Sequence, residues 1–84
     1  MAKKIRLDIV TPERVAYSNA VNMVIARTTS GDIGILPGHA PLLAGLIDWP
    51  LIILNDDGEA QMLVGGGFIE VQPEKVTILA SGLG

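Results

Sequence analysis

The 84-residue sequence contains no cysteine. No disulfide can cross-link the chain, and no thiolate can hold a metal or attack a substrate. It has one tryptophan, one tyrosine and one phenylalanine, so aromatic packing supplies little of any core. The single histidine, His39, sits between Gly38 and Ala40. A general base needs an orienting acid and a group to activate, and this stretch supplies neither. Between Thr28 and Glu74 there are seven acidic residues and no lysine or arginine. Nucleic acid is a poor partner for that surface, because phosphates demand clustered cations. The most apolar tract, residues 42–54, is interrupted by Asp48 and Pro50 and is too short for a hydrocarbon layer of about 30 Å. The opening MAKKIRLDIV is broken by Arg6 and Asp8, so it lacks the apolar run of a signal peptide. These absences describe a soluble, cytosolic protein, one able to work beside a membrane.

What remains is rich in Ile, Leu and Val: 49% of residues are hydrophobic and 18% charged. Such aliphatic and β-branched residues suit strands. The length allows one small domain, residues 1–84, which buries only about 60–65% of its unfolded surface. Ile5, Leu7 and Ile9 alternate with Lys4, Arg6 and Asp8, the period of a half-buried strand. Residues 15–17 suit a short extended piece. Val21, Met23 and Ile25 alternate with Asn22, Val24 and Ala26, predicting a longer strand. Residues 33–36 suit another, closed by Pro37 and Gly38 in the pattern of a type II turn. Two apolar runs follow, residues 42–46 and 51–54. NDDG at positions 55–58 then reads as a hairpin turn. Beyond it, Met62 and Val64 oppose Gln61 and Leu63; Ile69 and Val71 oppose Glu70 and Gln72; Val76, Ile78 and Ala80 oppose Thr77 and Leu79. No segment carries a sustained helical period. Many short strands with frequent turns predict an all-β sandwich or barrel. Several strands are apolar on both faces, which leaves apolar surface for docking.

No motif carries chemistry. Asn55, Asp56, Asp57 and Glu59 resemble the start of a calcium loop, but the distant ligating acid and flanking helices are missing. Glycines 65–67 lack the Lys and Ser/Thr of a phosphate loop and lead into a strand, so they read as a bulge or a close backbone approach. Asp32 and Glu70 cannot be set across a cleft from sequence alone. We expect no catalytic residue, no cofactor and no metal.

The stretch SGDIGILPGHAPLL, followed by GGFIEVQPEKVTILA, resembles the epsilon subunit of the F-type ATP synthase, as does the opening IRLDIVTPERVAYS. The resemblance covers nearly the whole chain, with motifs in the family's order and spacing. It implies a flattened antiparallel β-sandwich of about ten short strands. It also implies a non-catalytic place in the central stalk, bound to the gamma subunit and against the ring of c subunits. That position lies on the cytoplasmic side of a bacterial inner membrane, where the subunit couples ion-driven rotation to ATP synthesis.

By position, the resemblance implies that Ser30, Gly31 and Asp32 face the c-ring, with Asp32 able to pair with a basic loop. It implies that Thr11, His39, Leu42, Leu43 and Ala44 face gamma. The loop around His39, shaped by proline and glycine, would dock with little ordering cost. Most family members continue into a C-terminal helical hairpin that restrains hydrolysis and in some bacteria binds ATP. Here the residues stop at SGLG, so neither role is expected of them. The alternative is a freestanding β-sandwich module for a small molecule or carbohydrate, for which Tyr17, Trp49 and Phe68 are the available aromatic platforms.

Overall fold

The computed structural model describes residues 3–82. Among them are nine strands: β1 (Ile5–Val10), β2 (Val15–Val21), β3 (Met23–Thr28), β4 (Gly31–Ile35), β5 (Leu42–Leu46), β6 (Trp49–Asn55), β7 (Gly58–Val64), β8 (Gly67–Val71) and β9 (Lys75–Ala80). They pair in the order β2-β1-β9-β8-β5-β3-β6-β7, with β4 on the side of β3. The link between β5 and β3 is a single pair, Thr28 with Leu46. The sheet folds over at that seam. One layer is β2-β1-β9-β8-β5 and the other β4-β3-β6-β7.

The core lies between the layers and follows the alternation read from the sequence. Ile5, Leu7 and Ile9 of β1, Ile69 and Val71 of β8, and Val76 and Ile78 of β9 are buried from the first layer. Val24, Ile35, Leu51, Ile53 and Val64 meet them from the second. A strand with one apolar face has no other way to hide it. All-β architecture is as expected, with nine described strands against about ten. Pairing is antiparallel except between β1 and β9, which run parallel. They are the first and last strands, and a parallel pair needs a long crossover, here the whole intervening chain.

The turns behave as their residues dictate. His39 N–H donates to the Leu36 carbonyl at 3.1 Å, and Gly38 at φ 86° takes the left-handed position of a type II turn. Asn55 pairs with Gly58 across the β6–β7 hairpin. A Cβ on Gly67 would run into the Leu79 carbonyl, which is the close approach the triple glycine suggested.

One expectation fails. Residues 21–26 are not one strand. β2 runs on through Val21, and the chain crosses between layers at Asn22 before β3 begins. The crossing uses one residue and resets the alternation, so Val21 and Val24 are both buried while Met23 and Ile25 face outward, half-buried. Asn22 anchors the crossing. Its backbone N–H donates to the Leu54 carbonyl at 2.9 Å, and its side-chain amide donates to Asp56 at 2.9 Å.

Candidate docking surface

The outward residues of the first layer are set by cross-strand register. Val10 pairs with Val15 on β2 and with Leu79 on β9; Leu79 pairs with Phe68 on β8. These side chains form an apolar row across four strands. Val15, Leu79 and Phe68 are each more than half exposed. A polar row runs beside it, through Ser18, Asp8, Thr77 and Glu70, and ends on Leu43, which is 71% exposed. Large aliphatic and aromatic groups left in water on one sheet face mark a docking surface.

Thr11 caps one end of this face. Its N–H donates to the Arg14 carbonyl at 2.9 Å, tying the turn after β1. His39 lies at the other end, in the connection from β4 to β5. Gly38 N–H donates to the Pro73 carbonyl at 2.7 Å, which holds that loop to the β8–β9 turn. His39 Nδ1 is 2.7 Å from the Ala40 carbonyl oxygen, so one ring nitrogen serves the loop itself. Of the three candidate residues on β5, Leu42, Leu43 and Ala44, only Leu43 points outward. Leu42 and Ala44 are half-buried and pack against the core.

Thr29 and Ser30 form the two-residue β3–β4 turn, and Gly31 and Asp32 open β4, at the same end of the molecule as Thr11. Thr28 Oγ1 donates to the Gly31 carbonyl at 2.8 Å and accepts from Ser30 N–H at 3.1 Å. Asp32, which the resemblance offered to a basic loop of a partner, already has a basic neighbour within its own hairpin. It pairs with Arg27 across the hairpin. Arg27 Nε donates to Oδ1 at 2.6 Å and Nη2 to Oδ2 at 3.2 Å. The guanidinium stacks 4.0 Å from the centre of the Trp49 ring. The Arg27 hydrogen bonds hold the Asp32 carboxyl below the usual aspartate range. Behind this corner, Gly66 N–H donates to Asp48 Oδ1 at 2.5 Å and Ser81 Oγ donates to the Gly66 carbonyl at 2.6 Å.

Sequence reasoning did not place Phe68, Leu79, Arg27 and Trp49 on this surface, although it offered Phe68 and Trp49 as aromatic platforms for the alternative reading. The first two were legible, because strict alternation in β8 and β9 puts them on the face opposite Ile69 and Ile78. Arg27 follows from the two-residue turn, which opposes Thr28 to Gly31 and therefore Arg27 to Asp32. Trp49 gives no such signal, since its neighbour arrives from another hairpin. Among the described residues no group of three or more His, Cys, Asp or Glu is placed to hold a metal ion.

Comparison with known proteins places this geometry. Residues 4–83 match the family model of the ATP synthase, Delta/Epsilon chain, beta-sandwich domain. The chain is 51% identical over 78 residues to the ATP synthase epsilon chain of Brevibacillus brevis, covering 92% of this chain and 59% of that relative's length. It superposes with a TM-score of 0.88 on a chain of the Euglena gracilis mitochondrial ATP synthase, resolved as OSCP/F1/c-ring in rotational state 1. That likeness is at 24% identity and covers 96% of this chain and 52% of the other. A chain of the Tetrahymena thermophila mitochondrial ATP synthase central stalk and c-ring matches at a TM-score of 0.78 and 20% identity, covering 100% of this chain and 69% of that one. The curled sheet, its register and a sequence match over residues 4–83 agree, and the chain belongs to the ATP synthase Delta/Epsilon chain beta-sandwich family.

Proposed function

We propose that this domain is a non-catalytic rotor component of an F-type ATP synthase, docking gamma along its first layer and the c-ring at its β3–β4 corner. The observation that carries the proposal is the exposed row of Val15, Leu79 and Phe68, with Leu43 beside it, on a sheet face bounded by Thr11 and His39. An apolar face of this kind suits one long partner laid across it. The tip of the β3–β4 hairpin, with Ser30, Gly31 and Asp32, lies at one end only and suits a second partner placed beyond that end. Two partners held by one rigid slab would turn together, which is the coupling a stalk subunit supplies. The domain would then sit on the cytoplasmic side of a bacterial inner membrane, peripheral to it. The carbohydrate-module reading is weaker, because the exposed Trp49 ring already carries Arg27 on one face.

Phe68→Glu and Leu43→Asp test the reading, since both side chains are exposed and the substitutions leave the core intact. Each should weaken binding to purified gamma at least about tenfold, the loss typical of an interface anchor, with the circular dichroism spectrum unchanged. Equal binding by the folded variants and the wild type would refute the assigned face.

A further inference from the structure

We propose that the open edge of β2 is a homotypic seam, on which a second copy of this chain lays its own β2 antiparallel, centred on Ser18. β2 ends the strand order of the sheet and is paired on one side only, by β1. Arg6 N–H donates to the Glu74 carbonyl, on the β9 side, so the backbone groups of Arg6 turn away from β2. Ala20 lies opposite Arg6 and therefore points its own N–H and carbonyl out along the free edge. Alternation puts those of Ser18 there too, because the register shift between these strands comes only beyond Tyr17.

Exposed edges are ordinarily guarded by charge or proline. β7 carries Glu59 and β4 carries Asp32, whereas VAYSNAV, residues 15–21, contains neither a charge nor a proline. That run is also close to a palindrome about Ser18. Turned through a two-fold axis, Ser18 meets Ser18, Tyr17 meets Asn19, Ala16 meets Ala20 and Val15 meets Val21. No like charges meet across such a pairing. The acid one strand in, Asp8, is already held by Ser18, Arg6 and Lys75. A second copy thus matches this edge in length, polarity and charge.

Asn19 sets how tightly the seam closes. Its Oδ1 accepts the Ala20 N–H at 2.9 Å and so occupies one donor of the edge. The copy must displace that side chain to engage Ala20, while the two bonds at Ser18 form without it. The seam is therefore weak and reversible.

Sedimentation velocity from about 10 μM to about 1 mM should show a reversible monomer–dimer equilibrium, the range of a small transient interface. Asn19→Ala frees the Ala20 donor in both copies and should tighten the dimer about tenfold, one hydrogen bond gained on each side. Ser18→Pro removes the central donor, and proline is tolerated where an edge N–H faces solvent. It should leave the chain monomeric across that range, with an unchanged circular dichroism spectrum. The chain has no cysteine of its own, so single replacements report the register. Ser18→Cys should cross-link under oxidised glutathione, because residues bonded across an antiparallel pair have Cα atoms about 5.5 Å apart. Ala20→Cys should not, since it faces Ala16. Monomer alone at every concentration, in both the wild type and Asn19→Ala, would overturn the proposal. So would a dimer that survives in folded Ser18→Pro, or one that Phe68→Glu abolishes, which would put the contact on the apolar sheet face instead.

Discussion

Asp8 shows how one side chain on the outer face can tie three strands. Ser18 on β2 donates to its Oδ1 at 2.6 Å, Arg6 reaches the same oxygen at 3.3 Å, and Lys75 on β9 lies 3.4 Å from Oδ2. The Ser18 hydrogen bond is the main reason the Asp8 carboxyl is held below its ordinary value, with Lys75 and Arg6 adding to it against partial desolvation. A carboxyl depressed in the folded state stabilises the fold above the unfolded aspartate pKa of about 3.9. That contribution is lost as the pH falls through the lower, folded value. Asp32 and Asp56 are depressed in the same direction, by Arg27 and by Asn22 with Lys4. Urea midpoints should therefore drop on going from pH 5 to pH 3, and Asp8→Asn should drop less than the wild type. None of this network is visible in the sequence, where Asp8 is simply the polar member of an alternating run. Its partners arrive by strand register, which a local reading does not fix.

The elements themselves were more legible. β1, β8 and β9 read directly, because each has a buried face and a period of two leaves no freedom in which residues fill it. The type II turn at residues 37–38 and the hairpin turn at residues 55–58 read from glycine and its neighbours. The β2–β3 boundary did not, since a crossing between layers is a tertiary event and Asn22 carries no distinctive local signal. The site was half legible for the same reason. Asp32 stands out as the acid of a turn, while the neutralising Arg27 requires the register and Trp49 requires the fold. Gly67 shows where register becomes steric. Any Cβ there meets the Leu79 carbonyl, so β8 and β9 approach at that rung only without a side chain. Gly67→Ala should cost about 3 kcal/mol, at the upper end of overpacking losses, measured by urea denaturation. The wild-type midpoint would show that the two strands part freely there.

The whole molecule measures 35 × 24 × 18 Å, a slab longer than it is thick. Its docking features follow that shape: an apolar face along its breadth, and a polar corner at one end. The parallel pairing of β1 with β9 has a mechanical consequence. Arg6 pairs with Lys75 and Val10 with Leu79, so the strands start together at one end and finish together at the other. The chain therefore enters the domain at one end and leaves it at the opposite one. Tension between residues 3 and 82 would pull β1 and β9 past each other along their length, loading all the hydrogen bonds between them at once. Handles on Trp49 and Val64, which face each other at the open mouth of the β6–β7 hairpin, would instead peel one rung at a time. In force spectroscopy the first geometry should rupture at clearly higher force than the second. A slab built this way is stiffest along the line joining its own two ends and yields most readily where a hairpin can be unzipped.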